Sequence, residues 1–380
     1  MEQHAVYSRD ARVVLVGGTD KLEAMAAAIE RSGFVEHVRA RWALSGKPKE
    51  AFTIAVKPNI MTASLPENES SVYTDPALVE ALIERLLGEG FTALSVVEAE
   101  NVFNYSYVGR RVARVAEMCG YSGKNYRVAS MTEEAVPHDY GGVLGRHVVG
   151  RTWKEADYRI SFAKNKTHWQ CYYTACLKNV YGCLPEWDKM HAYHGRRRGK
   201  NIEFYEAAIE MAHDFPVHFG FLDAWVSGDG LTGHVRDPSP NHTHMLLASE
   251  NIFALDWVAG EKMNVDPMTN SVIREAVAKW GPIRISRDGD MTPWPDWKNV
   301  RSIVVKVMDV TEEWYGVSRF LSRLGAAYQD PRFKPVSRFQ WFFRLAHVVV
   351  RAIESLATTS TGSATPPRLT EMAAVRPTSR

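Results

Sequence analysis

The strongest constraint in this sequence is an alternation of short β-branched runs with amphipathic helical segments over its first hundred residues. Val13 to Val16 is a strand-like run closed by Gly17-Gly18-Thr19-Asp20, and Lys21 to Arg31 follows with strong helix formers up to Gly33. Phe52 to Val56 is the next apolar run, and Lys57-Pro58-Asn59 stops it, because proline cannot continue a central strand. Thr74-Asp75-Pro76 then opens a helix: a capping side chain precedes proline in the first turn, and Leu78, Leu82 and Leu86 recur at helical spacing. Gly88 and Gly90 close it before the strand Leu94 to Val97, which ends at Glu98. Strand, helix and strand at this spacing predict βαβ units and a mostly parallel sheet in an α/β fold.

The pattern continues with a helix at Val112 to Cys119, strands at Tyr126 to Ala129 and Tyr158 to Phe162, and a helix at Asn201 to His213. The strand Val217 to Leu222 leads into Asp223. Met245 to Ala248, the helix Phe253 to Lys262 and the apolar run Ile303 to Met308 complete it. In open parallel sheets the ligand crevice lies beyond the carboxyl ends of the strands. That rule gathers Lys57, Asn59, Glu98, Lys164, Lys166, His168 and Asp223 at one edge.

The densest chemistry lies between Ser161 and Gly199, in Lys164-Asn165-Lys166-Thr167-His168, Leu177-Lys178-Asn179 and Lys189-Met190-His191. We read the first of these as a loop carried to the crevice by the strand before it. Lysines beside other cations and aromatic rings either lose protons near neutral pH or stay charged and hold anionic oxygens. Histidines among them exchange protons in the same range. Eight of the thirteen histidines lie between His168 and His244, and His191/His194 and His242/His244 have spacings that place rings on one face. Neither pair has the HExxH arrangement of a metalloprotease, so scattered surface histidines are the plainer reading. The glycine-rich stretch Val226 to Gly233 matches no nucleotide-binding fingerprint.

Charge excludes one class of function. Forty-six Lys+Arg against 44 Asp+Glu give a net charge of +2, without the basic excess of a nucleic-acid binder. The run Arg196-Arg197-Arg198 is flanked by glycines and reads as a solvated loop. Four cysteines make no disulfide framework and favour a cytoplasmic location. Cys171, Cys176 and Cys183 are separated by four and six residues, which is not iron–sulfur or zinc-ribbon spacing. No run of 18 apolar residues is present, so no transmembrane helix is expected. Phe339 to Ala352 is basic, aromatic-rich and amphipathic. It reads as a helix packed on the core, with docking to a membrane surface or a protein partner as the alternative. From Thr358 to the last residue, composition predicts a disordered tail.

These motifs together resemble the DUF362 family. The resemblance rests on Lys57-Pro58-Asn59, Thr74-Asp75-Pro76, Glu98, Lys164-Asn165-Lys166-Thr167-His168 and Leu177-Lys178-Asn179-Val180-Tyr181-Gly182. It continues through His191, Asp223, Ala254-Leu255-Asp256-Trp257-Val258-Ala259 and Met263-Asn264-Val265-Asp266-Pro267, and so spans about residues 10 to 270. Many members are fused to ferredoxin-type four-iron, four-sulfur segments, which implies redox work. This sequence has no such segment, so an external electron-transfer protein would stand in its place. More remotely, the N-terminal part is similar to nickel-dependent lactate racemase-type proteins, which use Lys and His around a metal-bearing cofactor.

The expected organisation is an α/β domain over residues 1–270, an extension or small subdomain over 271–357 and the tail over 358–380. The expected function is an enzyme, redox in type, acting on a small anionic metabolite. A metal-cofactor-dependent racemase or isomerase is the alternative, and a non-catalytic cofactor-delivery protein the other. Lys166, Lys178, His168 and His191 are the candidate catalytic residues, and Lys57, Lys164, Asn59 and Asn179 the candidate substrate-binding ones. Glu98, Asp223 and Asp256 are candidates to orient a histidine or hold a metal ion.

Overall fold

The computed structural model describes residues 6–7, 9–60, 71–101, 104, 107–186, 189, 202–230, 240–312 and 333–334. His191, His194, Arg196-Arg197-Arg198, Gly233, the amphipathic stretch 339–352 and the tail 358–380 lie outside these residues.

In chain order the elements are β1 (Ala11–Gly17), α1 (Lys21–Arg31), α2 (Phe34–Ser45), β2 (Ile54–Pro58), α3 (Pro76–Gly88), β3 (Leu94–Glu98), α4 (Val112–Cys119) and β4 (Arg127–Ser130). The hairpin β5 (Ala135–Asp139) and β6 (Arg146–Gly150) follows, then α5 (Arg151–Glu155), β7 (Tyr158–His168), β8 (Tyr172–Thr174) and α6 (Cys176–Tyr181). After these come α7 (Phe204–Asp214), β9 (Phe219–Gly228), β10 (Met245–Ser249), α8 (Ile252–Lys262), α9 (Ser271–Trp280), β11 (Ile285–Asp288) and α10 (Ser302–Glu312).

One large sheet runs in the order β11-β1-β10-β9-β7-β2-β3-β4, with β8 paired to β7. Strands β9, β7, β2, β3 and β4 are mutually parallel, while β10 runs antiparallel to both β1 and β9. The sheet is therefore α/β and mostly parallel. Its strands are near-continuous apolar runs because helices cover both faces. One face packs Ala55, Val97, Ala163 and Leu222 beneath α6, α7, α8 and α9. The other packs Val56, Val96, Phe162 and Phe221 beneath α1, α2 and α3.

Local chemistry sets the boundaries near the crevice. Asp20 caps α1, its side chain accepting from the N–H groups of Leu22 and Glu23. Asp75 caps α3 by accepting from the Ala77 N–H, and Pro76 sits in the first turn. Residues 285–288 join the main sheet beside β1, so part of the stretch beyond 270 completes that sheet.

Two strands run further than their apolar runs predict. The Lys164-to-His168 segment, expected as a loop, is the second half of an 11-residue strand. Its backbone pairs on one side with β8 and on the other with β9. Polar side chains hide this continuation from a periodicity reading, but the ladder partners satisfy the backbone regardless. Strand β9 likewise continues past Asp223 to Gly228, with a register shift between Lys164 and Lys166.

Candidate functional site

Neighbouring β2 and β3 end at Lys57-Pro58 and Glu98, which brings these two charges together at the carboxyl edge of the sheet. Lys57 is 1% exposed. Its three N–H donors go to Glu98 Oε2 at 2.8 Å, Pro58 O at 2.6 Å and Asn179 Oδ1 at 3.2 Å. Asn179 reaches in from α6 and donates back to Lys57 O at 2.7 Å and to Ser161 Oγ at 3.1 Å. Glu98 also accepts from the backbone N–H groups of Ile60 and Ala99. A lysine is tolerated at this depth only when it is paired and fully hydrogen-bonded. Space is tight as well: a Cβ on Gly182 would sit 2.9 Å from both Lys57 Nζ and Asn179 O.

The other face of the edge carries a second pair. Lys164 Nζ lies 2.9 Å from Asp223 Oδ2, and both side chains are almost completely buried. Asp223 also accepts from the backbone N–H groups of Asp75 and Trp225, so its carboxylate ties the start of α3 to the middle of β9. Lys166 differs. Its Nζ donates to Asn59 Oδ1 and Val72 O, each at 2.9 Å, and both acceptors are neutral. Among the described residues its third N–H has no acceptor. Thr74 braces this corner, accepting from the Asn59 N–H and donating to Phe162 O.

Helix α6 completes the arrangement. The Asp256 carboxylate, on α8, accepts from the N–H groups of Cys176 and Leu177 at 2.7 and 2.8 Å and so fixes the first turn of α6. Lys178, the third residue of α6, places its ammonium 5.5 Å from the Tyr181 ring centre and 5.2 Å from that of Phe204. Lys189 approaches Tyr181 at 4.9 Å from the ring centre and donates to Tyr181 O at 2.9 Å. His168 is buried, two residues beyond Lys166 on β7 and so on the same side of that strand. Its Nδ1 accepts from the Gln170 N–H, which assigns the ring proton to Nε2 in the neutral form.

Burial and crowding of like charges shift these groups. Desolvation is the main cause bringing Lys166 down to about 7, and Lys178, Lys164 and Lys57 push the same way while Glu98 opposes them. Lys189 falls to about 8, again chiefly by desolvation, with Glu98 opposing. Burial raises Asp256 to about 8 against the two N–H groups that favour its charged form. Burial also lifts Cys176 well above the usual thiol range and Cys183 to about 12. All four cysteines are buried and unbridged.

The structure thus gathers Lys57, Asn59, Glu98, Lys164, Lys166, His168, Lys178, Asn179 and Asp223 around one strand edge. It does not assemble Glu98, Asp223 and Asp256 into a ligand set. Glu98 and Asp223 are each held by a lysine, and Asp256 is a helix cap. Among the described residues no three His, Cys, Asp or Glu side chains come together as metal ligands. These donors therefore do not fit a directly ligated metal.

Two features are absent from the candidate residues read off the sequence. Lys189 is one, although it lies in the dense lysine segment. The other is a small cleft beside Glu98, lined in part by Glu100, Asn101, Asn104 and Arg110. The run Glu98-Ala99-Glu100-Asn101 just past a strand was the available signal for it.

Residues 54–261 match the family described as "Domain of unknown function (DUF362)", over more than half of the chain. The chain belongs to the DUF362 family. A curated relative, the "Thylakoid-associated protein sll1697" of Synechocystis sp., is 27% identical over 223 residues, which is 57% of this chain and 64% of that protein. The match thus spans less than two thirds of that DUF362 relative's length. The lactate racemase apoprotein from Thermoanaerobacterium thermosaccharolyticum aligns with a TM-score of 0.35 and 9% identity. That alignment covers 58% of this chain and 51% of that one, a likeness too slight to carry an argument. Among the described residues no helix is long and apolar enough to cross a membrane.

Proposed function

We propose that this DUF362 protein is an enzyme that binds a small anionic substrate at the carboxyl edge of β2, β3 and β7 and moves a proton to or from it. The observation that carries this reading is Lys166. It is buried, hydrogen-bonded only to neutral oxygens, and brought to about 7, so near neutral pH it exists in both protonation states. Lys57 and Lys164 are tied to carboxylates and, with Lys178, oppose the protonation of Lys166. The neutral amine takes a proton from an acidic C–H of the substrate, and Asn59 Oδ1 and Val72 O hold the resulting ammonium. Lys178 and Lys189 hold substrate oxygens, and the His168 imidazole serves as a second proton carrier.

The groups shifted towards neutral pH are the amines of Lys166 and Lys189 and the Asp256 carboxyl, which favours proton transfer of the racemase or isomerase kind over electron transfer. The expected redox role finds no support in the thiols, since burial keeps Cys176 and Cys183 protonated.

The test is solvent-deuterium incorporation, followed by NMR, into a panel of 2-hydroxy, 2-amino and dicarboxylic acids. Exchange into one class is expected with the unaltered chain and should fall at least about a hundredfold in Lys166→Met, the scale of a lost general base. Exchange that survives in the variant at full rate would remove Lys166 from this role.

A further inference from the structure

Lys166 is held by two oxygens from parts of the chain distant in sequence from β7. Asn59 Oδ1 comes from just beyond β2 and Val72 O from ahead of α3, each 2.9 Å from Lys166 Nζ. Neither acceptor is placed by a strand or a helix. Asn59 offers a side chain with rotamers of its own, and Val72 sits in a connecting segment, so something else must bring both to the amine.

Thr74 joins the two. Its N–H donates to Asn59 O and its hydroxyl accepts from the Asn59 N–H, both at 2.9 Å, a reciprocal pair that locks residue 59 to residue 74. The same hydroxyl donates to Phe162 O at 2.9 Å, on β7 four residues before Lys166. Val72 is only two residues from Thr74. One fully buried hydroxyl thus fixes the backbone that carries both acceptors and ties it to the strand that carries the amine. Tyr121, just past α4, donates to Thr74 O at 3.0 Å and holds the segment from outside. At its start the segment lies against Lys166, since a Cβ on Gly228 would be 2.7 Å from Ser71 O and 2.9 Å from Lys166 Cβ. The next residue serves the other lysine: the Asp75 N–H donates to Asp223 Oδ2 at 2.8 Å, the oxygen that Lys164 Nζ also meets.

We propose that Thr74 is a positioning residue for Lys166, acting through Asn59 Oδ1 and Val72 O rather than on the amine itself. This rests on reading Lys166 as the proton carrier of the site and adds what sets its proton affinity and its direction. Hydrogen bonds to a charged form favour that form. Burial and the neighbouring lysines disfavour the Lys166 ammonium, and the two oxygens that Thr74 holds oppose them. Two of the amine's hydrogens are committed to these oxygens. In the neutral form the lone pair takes the remaining position, and there the proton is received.

Heteronuclear NMR of protein carrying isotope-labelled lysine follows the titration of Lys166 without any substrate, its resonance being assigned by its loss in Lys166→Met. Thr74→Val keeps the shape of the side chain and removes the hydroxyl. It should lower the proton affinity of Lys166 at least about threefold, a midpoint about half a pH unit lower, the scale of one weakened hydrogen bond. Thr74→Ser keeps the hydroxyl and should titrate as the unaltered chain does. Tyr121→Phe removes the bond to Thr74 O and should move the midpoint the same way by less; it decides the matter if Thr74→Val does not fold. A midpoint unmoved in Thr74→Val, or in Tyr121→Phe where that variant decides, would leave Thr74 a purely structural residue and overturn the inference. So would a midpoint that Thr74→Ser moves as far as Thr74→Val. The titration is read on the amine alone, so deuterium exchange that survives in Lys166→Met would remove the base role without deciding this one.

Discussion

Lys166 concentrates the chemistry of the chain in one amine. Its proton affinity is depressed on folding, from an ordinary lysine value to about 7. Between pH 7 and about 10 the unfolded chain therefore binds a proton that the folded chain does not. Stability referable to this group is full above the unfolded value, is lost as pH falls towards 7, and is flat below that. Lys166→Met removes the dependence. Urea unfolding at pH 7 and pH 9 should show the unaltered chain gaining about 2 kcal/mol on the variant between the two, since the slope rises to about 1.4 kcal/mol per pH unit only above the folded value. A gap that does not change with pH would mean that Lys166 is not depressed. At this scale the sequence identified residue types and neighbourhood. It did not separate Lys57 and Lys164, whose carboxylate partners lie 41 and 59 residues away, from Lys166, whose partners are neutral.

At the scale of elements, α6 links the site to the core. Asp256 fixes its first turn, Asn179 bonds Lys57, and Gly182 lies against the Lys57 side chain. Gly182→Ala forces a methyl group within 2.9 Å of Lys57 Nζ and Asn179 O. It should cost about 1–3 kcal/mol in chemical denaturation and weaken anion binding at the same time. Gly88, the last residue of α3, has nothing within 4 Å of an added Cβ. Gly88→Ala should stabilise by about 0.5–1 kcal/mol and leave binding unchanged. Equal effects of the two substitutions would count against the packing reason given for Gly182. The helix boundaries near the site were legible because caps are local signals, as Asp20 and Asp75 show. The extension of β7 to His168 was not, because ladder partners on β8 and β9 sustain it rather than its own periodicity.

At the scale of the whole molecule, a single sheet separates two apolar layers, and adjacent residues of β9 enter different ones. Phe221 packs with the α1 and α3 layer and Leu222 with the α6 and α8 layer. Phe221→Ala and Leu222→Ala should destabilise by about 3–5 and 2–5 kcal/mol respectively. Both should lower the midpoint of the same unfolding transition, as followed by fluorescence and circular dichroism; two separable transitions would show that the layers unfold independently. The net charge of +2 conceals how unevenly the lysines are placed, with Lys57, Lys164 and Lys166 among the largest fully buried side chains. The sequence by itself determined the α/β class, the parallel βαβ start and the edge at which the polar residues collect. Alternation of apolar runs with capped helices is written locally, and strand ends in such a sheet share one edge. Only the tertiary structure decided which lysine is paired with a carboxylate and which is left with neutral partners. It also decided that Asp256 holds a helix rather than a metal, and that β10 enters antiparallel. Each of these depends on groups distant in sequence meeting at one place, where the loss of water makes the identity of the neighbour decisive.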